Sequence, residues 1–360
     1  MRFPEFTEEW ETKKLGEIGE IVNGLTYSPN DIAENGVLVL RSSNVQNRSL
    51  AFEDNVYVRT DNYNPVQEND ILICVRNGSK NLIGKNALIN KENEGVAFGA
   101  FMSIYRSSFN TFLFHWFDTN EYKEIVYKNL GATINSINGS DLRKFKVPFP
   151  SIEEQKKLAS FLSIVDERIQ TQNKIIEQLE TLIKGLCQKL ILNQVPNKKI
   201  NNCVSSYSSS LTESDVIDKN GIYPVYGATG IIAFTENPQI NEDAILIIKD
   251  GSGVGKVQYA SDKFSVIGTL NYLTVKPDVN LKYIFFCLKY FNFEKYKVGS
   301  GIPHIYFKDY GETFIYCPPL EEQNKIESLL SSIDSKINIE TQYIKELKEQ
   351  KTFLFQQMFV

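Results

Sequence analysis

The side chains best placed to do chemistry sit in a glycine-rich loop that occurs twice. One copy runs Arg76, Asn77, Gly78, Ser79, Lys80 and continues to Gly84 and Lys85; the other runs Lys249, Asp250, Gly251, Ser252 and continues to Gly255 and Lys256. Glycine lets a backbone come close to a ligand, arginine and lysine bind phosphate oxygens or guanine edges, and asparagine can bind adenine through two hydrogen bonds. The chemistry on offer is recognition of a polyanion with base edges, and a plain hairpin with solvated charges is the competing reading. The run Gly251 to Lys256 is not a phosphate-binding P-loop. Position 250, where that motif needs its first glycine, is aspartate, and Val257 stands where a metal-binding Ser or Thr belongs.

Two further loops carry similar groups. Thr133, Asn135, Ser136 and Asn138 precede one long helical stretch, and Ser300, His304 and Tyr306 precede the other. Small polar side chains there either read bases or only make turns. A third candidate is Arg41, Ser42 and Asn44, matched in the second half by the less polar Tyr226 to Thr229.

No catalytic residues, bound metal or cofactor are expected alongside them. The five cysteines (Cys74, Cys187, Cys203, Cys287, Cys317) form no Cys-x-x-Cys pair and there are only two histidines, so they read as buried thiols. Base methylation by this chain would need an Asn/Asp-Pro-Pro-aromatic motif and a glycine-rich cofactor loop. Cys317 to Leu320 has the wrong flanks for the first, Phe98 to Phe101 lacks the second glycine of the other, and no Asp-x-Glu/Gln-x-Lys segment suits a nuclease.

The elements that must position these loops follow from an internal duplication, a repeat far longer than solenoid units. Pro150 to Gln155 reappears as Pro318 to Gln323, and Leu162, Asp166 and Ile169 then fall on Leu330, Asp334 and Ile337, all at an offset of 168. Gly131 to Ile137 matches Gly299 to Ile305 at the same offset, Lys13 to Leu15 matches Lys198 to Ile200 at 185, and Asp70 to Ser79 matches Asp243 to Ser252 at 173. The frame repeats while the residues within it differ.

Each half opens with β-branched and aromatic runs broken by Gly, Asn and Asp, which predict strands at Val37 to Arg41, Ile71 to Arg76, Ala244 to Lys249 and Leu270 to Lys276. Aromatics at helical spacing predict helices at Phe112 to Lys128, with His115 a packing or surface residue, and at Leu281 to Tyr290. Each half closes on a long helix. Ser151 and Glu154 form a capping-box pattern behind Pro148 and Pro150. From there Leu158, Leu162, Val165, Ile169, Gln172, Ile176, Leu179, Ile183, Leu186 and Leu190 recur at alternating 4/3 spacing, as do Ile326, Leu330, Ile333, Ile337, Glu340, Ile344, Leu347, Lys351, Leu354 and Met358. That is the pattern of a coiled-coil seam, with an ordinary amphipathic helix packed on its own domain as the competing reading; a polar residue, Gln172 or Glu340, stands at the same place in each copy, a device that fixes pairing register. A helix of about 42 residues spans about 63 Å, which makes it a spacer.

Composition bounds the rest. With 360 residues and 42% hydrophobic content the chain can bury two or three cores. No apolar run reaches the roughly 20 residues of a membrane span and the start lacks a signal-peptide pattern, so the cytoplasm is the expected location, with no membrane partner. The net charge of −5 weighs against a strong polyanion binder, and no segment is strongly basic: Lys+Arg against Asp+Glu is 16 to 19 in residues 1–150 and 12 to 12 in 198–316. Affinity must come from a few placed cations, completed by a partner.

The tandem layout, the Pro-x-x-Glu-Gln helix start (Pro150 to Gln155, with Pro319 to Gln323 closely alike) and the opening Trp10 to Ile18 together resemble the specificity subunits of type I restriction-modification systems, over the whole chain. The resemblance implies an α+β fold: two tandem mixed α/β target-recognition domains, each followed by a long helix, the helices pairing as an antiparallel coiled coil with pseudo-twofold symmetry. The domains would be 1–150 and 198–316, and the helical spacers 151–197 and 317–360. Helix pairing would use Leu162, Val165, Ile169, Ile176 and Leu179 against Leu330, Ile333, Ile337, Ile344 and Leu347. It implies a non-catalytic subunit that reads a bipartite, asymmetric site in double-stranded DNA and carries two methyltransferase (M) subunits, with restriction (R) subunits joining through the complex. One departure is that the second amino-terminal segment has no counterpart of Trp10. A coiled-coil protein-interaction scaffold, and a recognition subunit of another restriction-modification type, are the alternatives.

Overall fold

The computed structural model describes residues 2–130, 135–216 and 221–359. They form two compact units, Met1–Thr171 with Ile344–Val360, and Gln172–Tyr343. The division runs through both long helices, Ile152–Cys187 and Leu320–Met358, so each unit contains part of each.

The first unit is built on a four-stranded antiparallel sheet in the order Glu20–Asn23, Met102–Arg106, Ile71–Cys74, Asn86–Leu88. Ile71–Cys74 is buried at every residue, as an unbroken apolar run covered on both faces must be. A smaller sheet pairs Ile32–Leu40 antiparallel with Tyr57–Val58 and parallel with Ala97–Phe98. The second unit repeats the plan: Val204–Ser208, Leu270–Val275, Ala244–Ile248 and Val257–Ala260 in one sheet, and Tyr223–Gly227 between antiparallel Gly230–Thr235 and parallel Ser265–Val266 in the other.

Strand pairing corrects the internal alignment by one residue. Met102 stands opposite Cys74, and Leu270, its counterpart at the 168 offset, stands opposite Ile248. Cys74 therefore corresponds to Ile248, an offset of 174 instead of the 173 inferred from matching Asp70 with Asp243. A slip of one residue moves every side chain of a strand to the other face, so the distinction matters: Arg76 corresponds to Asp250, not to Lys249.

The helix predicted at Phe112 to Lys128 is two, Asn110–Trp116 and Asn120–Lys128. Thr119 breaks it, because its hydroxyl accepts from Tyr122 N at 3.2 Å and caps a new helix. In the second unit Leu281–Lys289 is a single helix capped by Asn280.

The start of the first long helix departs from a full capping box. Ser151 Oγ accepts from Glu154 N at 3.3 Å, but the Glu154 carboxylate, 2% exposed, turns instead to Arg2 (2.9 and 2.6 Å) and Trp10 Nε1 (3.0 Å). Charged and ring donors together satisfy it better than one backbone N–H would. Glu322, the equivalent in the second unit, has no tryptophan to meet and accepts from the Tyr316 hydroxyl at 2.8 Å.

Every seam position of both helices is buried or half-buried. In the second unit Gln172 donates to Glu340, while farther along Ile183, Cys187 and Ile191 share one core with Ile326 and Leu330, so the helices run antiparallel there. In the first, Leu158, Leu162, Phe355 and Met358 join the core of the sheet, and Lys351 bonds Asp166 at 2.6 Å. His115 is a packing residue, 1% exposed against Ser163 at 3.2 Å. All five cysteines are buried and free, and no helix among the described residues is long and apolar enough to cross a membrane.

Candidate nucleic-acid interface

The glycine-rich loops are closed by the same backbone bonds in both units. Gly84 N donates to Cys74 O at 2.8 Å and Cys74 N to Lys85 O at 2.9 Å; Gly255 N donates to Ile248 O at 2.9 Å and Ile248 N to Lys256 O at 3.0 Å. Both glycines are left-handed, φ +83° and +88°, and a Cβ on Gly255 would lie 2.8 Å from Phe293 Cβ. Glycine is required where the chain must take that conformation in so little space.

The loop ahead of each long helix then docks on the glycine-rich loop, again identically. Ile137 N bonds Val75 O at 2.9 Å and Asn77 N bonds Asn135 O at 3.2 Å; Ile305 N bonds Lys249 O at 3.0 Å and Gly251 N bonds Pro303 O at 3.0 Å. Arg76 bridges Ser136 in one unit and Asp250 bridges His304 in the other. In the first unit the third segment joins as well, since Asn77 Nδ2 donates to Ser42 Oγ at 3.0 Å. Segments 35 to 62 residues apart in the chain thus meet at one end of each sheet.

Several candidates turn out to build this frame instead of facing outward. Asn44 is fully buried, its Oδ1 accepting from Arg41 N at 2.9 Å and its Nδ2 donating to Ala51 O at 2.9 Å, so it cannot reach a base. The Asn77 amide is engaged at both ends, by Ser42 and by Ser79 N at 3.0 Å, and Asn135 Nδ2 is engaged by Gly78 O at 2.9 Å. The two-bond adenine contact expected of Asn77 is unavailable while these bonds last, because the same atoms would be needed. Arg41 is paired with Asp54 at 2.8 Å. Lys85 is half-buried in a cleft of about 320 Å³ with Lys80, Lys123 and Tyr127, and burial lowers its pKa. Thr133 lies outside the described residues.

The outward-facing set is shorter. Arg76, Ser79, Lys80 and Asn138 are exposed in the first unit, and Ser252, Lys256, Ser300 and Tyr306 in the second, with Lys249 and His304 half-buried. Two residues had no role assigned from the sequence. Phe101, 56% exposed, lies with its ring 5.7 Å from the Arg76 guanidinium, and Asp250 Oδ1 is 2.7 Å from His304 Nδ1. Nothing in the sequence around Phe101 marked the first; the 173 offset hid the second by aligning Asp250 with Asn77. The outward side chains present cationic donors in the first unit and a carboxylate–imidazole pair in the second, on one backbone frame.

Residues 7–181 and 199–349 each match the family model of the type I restriction modification DNA specificity domain. The chain belongs to that family. Among type I specificity proteins it is 26% identical to a putative type I restriction enzyme MjaX specificity subunit from Methanocaldococcus jannaschii, over 96% of this chain and 92% of that one. It is also 26% identical to the EcoKI specificity subunit of Escherichia coli, over 53% of this chain and 43% of that protein. The crystal structure of a type I restriction-modification S subunit from M. genitalium shares the fold, with a TM-score of 0.71 at 18% identity over 99% of this chain and 97% of that one. This type I specificity-family chain thus carries the family domain twice.

Proposed function

We propose that this chain is the DNA-specificity subunit of a type I restriction-modification complex and has no catalytic role of its own. Residues 1–150 and 198–316 each read half of a bipartite, asymmetric site in double-stranded DNA. The helical regions 151–197 and 317–360 set the spacing between half-sites and carry methyltransferase subunits, two by the symmetry of the repeat, through which restriction subunits join. One observation carries this reading. The loop frame occurs twice with the same hydrogen bonds, yet the side chains at its matching positions differ, Arg76 and Ser136 against Asp250 and His304. Two like frames with unlike reading heads suit two unlike half-sites, since the frame positions and the side chains specify. The cationic positions Lys80, Lys249 and Lys256 supply phosphate contacts, few enough that the partner must complete the grip.

The test is a footprint of the chain assembled with its methyltransferase on a mixed DNA population. Protection of one bipartite sequence, with an unread gap, is expected. Equal protection of scrambled DNA would refute sequence reading, and S-adenosylmethionine-dependent methylation by the chain alone would refute the non-catalytic assignment.

A further inference from the structure

At one backbone position the two frames carry opposite hydrogen-bonding character. In the first unit it is Arg76, exposed, set beside the Phe101 ring and making no ion pair among the described residues. A guanidinium only donates. In the second unit it is Asp250, whose Oδ1 lies 2.7 Å from His304 Nδ1. A carboxylate oxygen only accepts, so Nδ1 carries the proton of this bond, and a ring with that one proton offers a lone pair at Nε2. Nε2 has no partner among the described residues, and the two side chains are 33% and 37% exposed, open to a ligand. The imidazole is also held by its backbone, through Val298 N to His304 O at 2.9 Å and His304 N to Val298 O at 2.8 Å.

We propose that the Asp250–His304 pair reads the exocyclic amino group of one base, N4 of cytosine or N6 of adenine, in the half-site bound by the second unit, and that Arg76 reads the O6/N7 edge of guanine in the other. The proposal rests on the DNA-reading function above. Exocyclic amino groups are the hydrogen-bond donors of the major groove, while guanine N7 and O6 are acceptors that suit a guanidinium. An acceptor facing N7 and O6 sets lone pairs against lone pairs, so the pair discriminates by rejection as well as by attraction. Asp250 is the positioning residue that fixes the tautomer, and His304 Nε2 makes the contact.

The bipartite target is first selected from randomised double-stranded DNA by the full-length chain with its methyltransferase. Single amino groups along it are then deleted, with 2-pyrimidinone for cytosine and purine for adenine, and affinities are measured for wild type, His304→Ala, His304→Gln and Asp250→Asn. One deletion is expected to weaken wild type about tenfold or more and His304→Ala hardly at all. His304→Gln, whose amide oxygen still accepts, keeps the sensitivity, and Asp250→Asn, which frees the tautomer, reduces it. In the other half-site 7-deazaguanine weakens every chain except a further variant, Arg76→Ala, and undiminished losses at the remaining amino positions of the second half-site report that the second-unit variants are folded. Such non-additivity marks direct contact. Additive losses at every amino position, or coupling of His304 to a guanine N7, overturn the proposal and leave a sequence-specific reader standing. Selection of no sequence at all overturns both.

Discussion

Gln155 and Gln323 make one and the same contact: each donates its side-chain N–H to the carbonyl of the proline five residues earlier, Pro150 at 2.8 Å and Pro318 at 2.7 Å. Both amides are buried, so each proline carbonyl at the mouth of a long helix has no water to turn to. Gln323 also accepts from Asn280 N at 2.9 Å.

Replacing either glutamine by leucine strands a buried carbonyl and is expected to cost about 1–3 kcal/mol. Gln323→Leu should cost the more, because Asn280 N is orphaned too. Urea denaturation measures both, and a loss under about 0.5 kcal/mol for either would show that the bond is not what holds the helix entry.

Lys351 sits at a seam position between two carboxylates, 2.6 Å from Asp118 and 2.6 Å from Asp166, and its side chain is 11% exposed. Lys351→Met removes the cation that two half-buried acids share, leaving Asp118 to Arg48 and Lys123 and Asp166 to His115, at an expected cost of about 1–3 kcal/mol in chemical denaturation. Adding Asp118→Asn and Asp166→Asn should recover much of that loss. No recovery would mean that the lysine acts through packing.

The same cluster sets a pH dependence. Burial pushes the Asp118 carboxyl up, but Arg48 and Lys351 outweigh it and hold it below its ordinary 3.8; for Asp166 burial is outweighed by His115 and Lys351. Burial also holds the His115 imidazole below its ordinary 6.5, against the pull of Asp166. A depressed folded value contributes stability that is whole above the unfolded value and is lost as pH falls toward the folded one. Stability should therefore decline below pH 6.5 through His115 and again below pH 3.8 through the two acids. His115→Gln, which can still bond Ser163, should flatten the first decline, whose slope cannot exceed about 1.4 kcal/mol per pH unit for one proton. A wild type with no slope between pH 5 and 6.5 would contradict this account.

Gln172 and Glu340 form the polar step of the seam, with Lys336 also on the glutamate. Changing both to leucine should raise the melting temperature and loosen register, since apolar seams tolerate slippage that a polar pair forbids. Spin-label distances between positions 186 and 326 report it. A distribution as narrow as the wild type's would place the register device elsewhere.

Much of the architecture could be read without coordinates, because it rests on local chemistry and periodicity. Proline, serine and glutamate at Pro150 to Glu154 mark a helix start wherever they occur, and the 4/3 spacing from Leu158 to Leu190 implies a buried seam whatever lies opposite. The reading heads were legible only as neighbourhoods. The loops at Arg76 and Lys249 carry the right residue types, but whether an amide faces outward or is spent on the next loop depends on partners up to 57 residues away, as Asn135 and Gly78 show.

By itself the sequence determined that the chain is a half written twice, that each half ends in a seam-bearing helix, and which loops hold the polar groups. Only the tertiary structure decided that Arg76 answers to Asp250, that Asn44 and Asn77 are frame and not reading head, and that Glu154 is claimed by Arg2 and Trp10. The physical reason is common to all three. Strand register and side-chain direction are set by hydrogen bonds between segments remote in the chain, and a one-residue slip that changes nothing in a short matching motif inverts what the backbone presents.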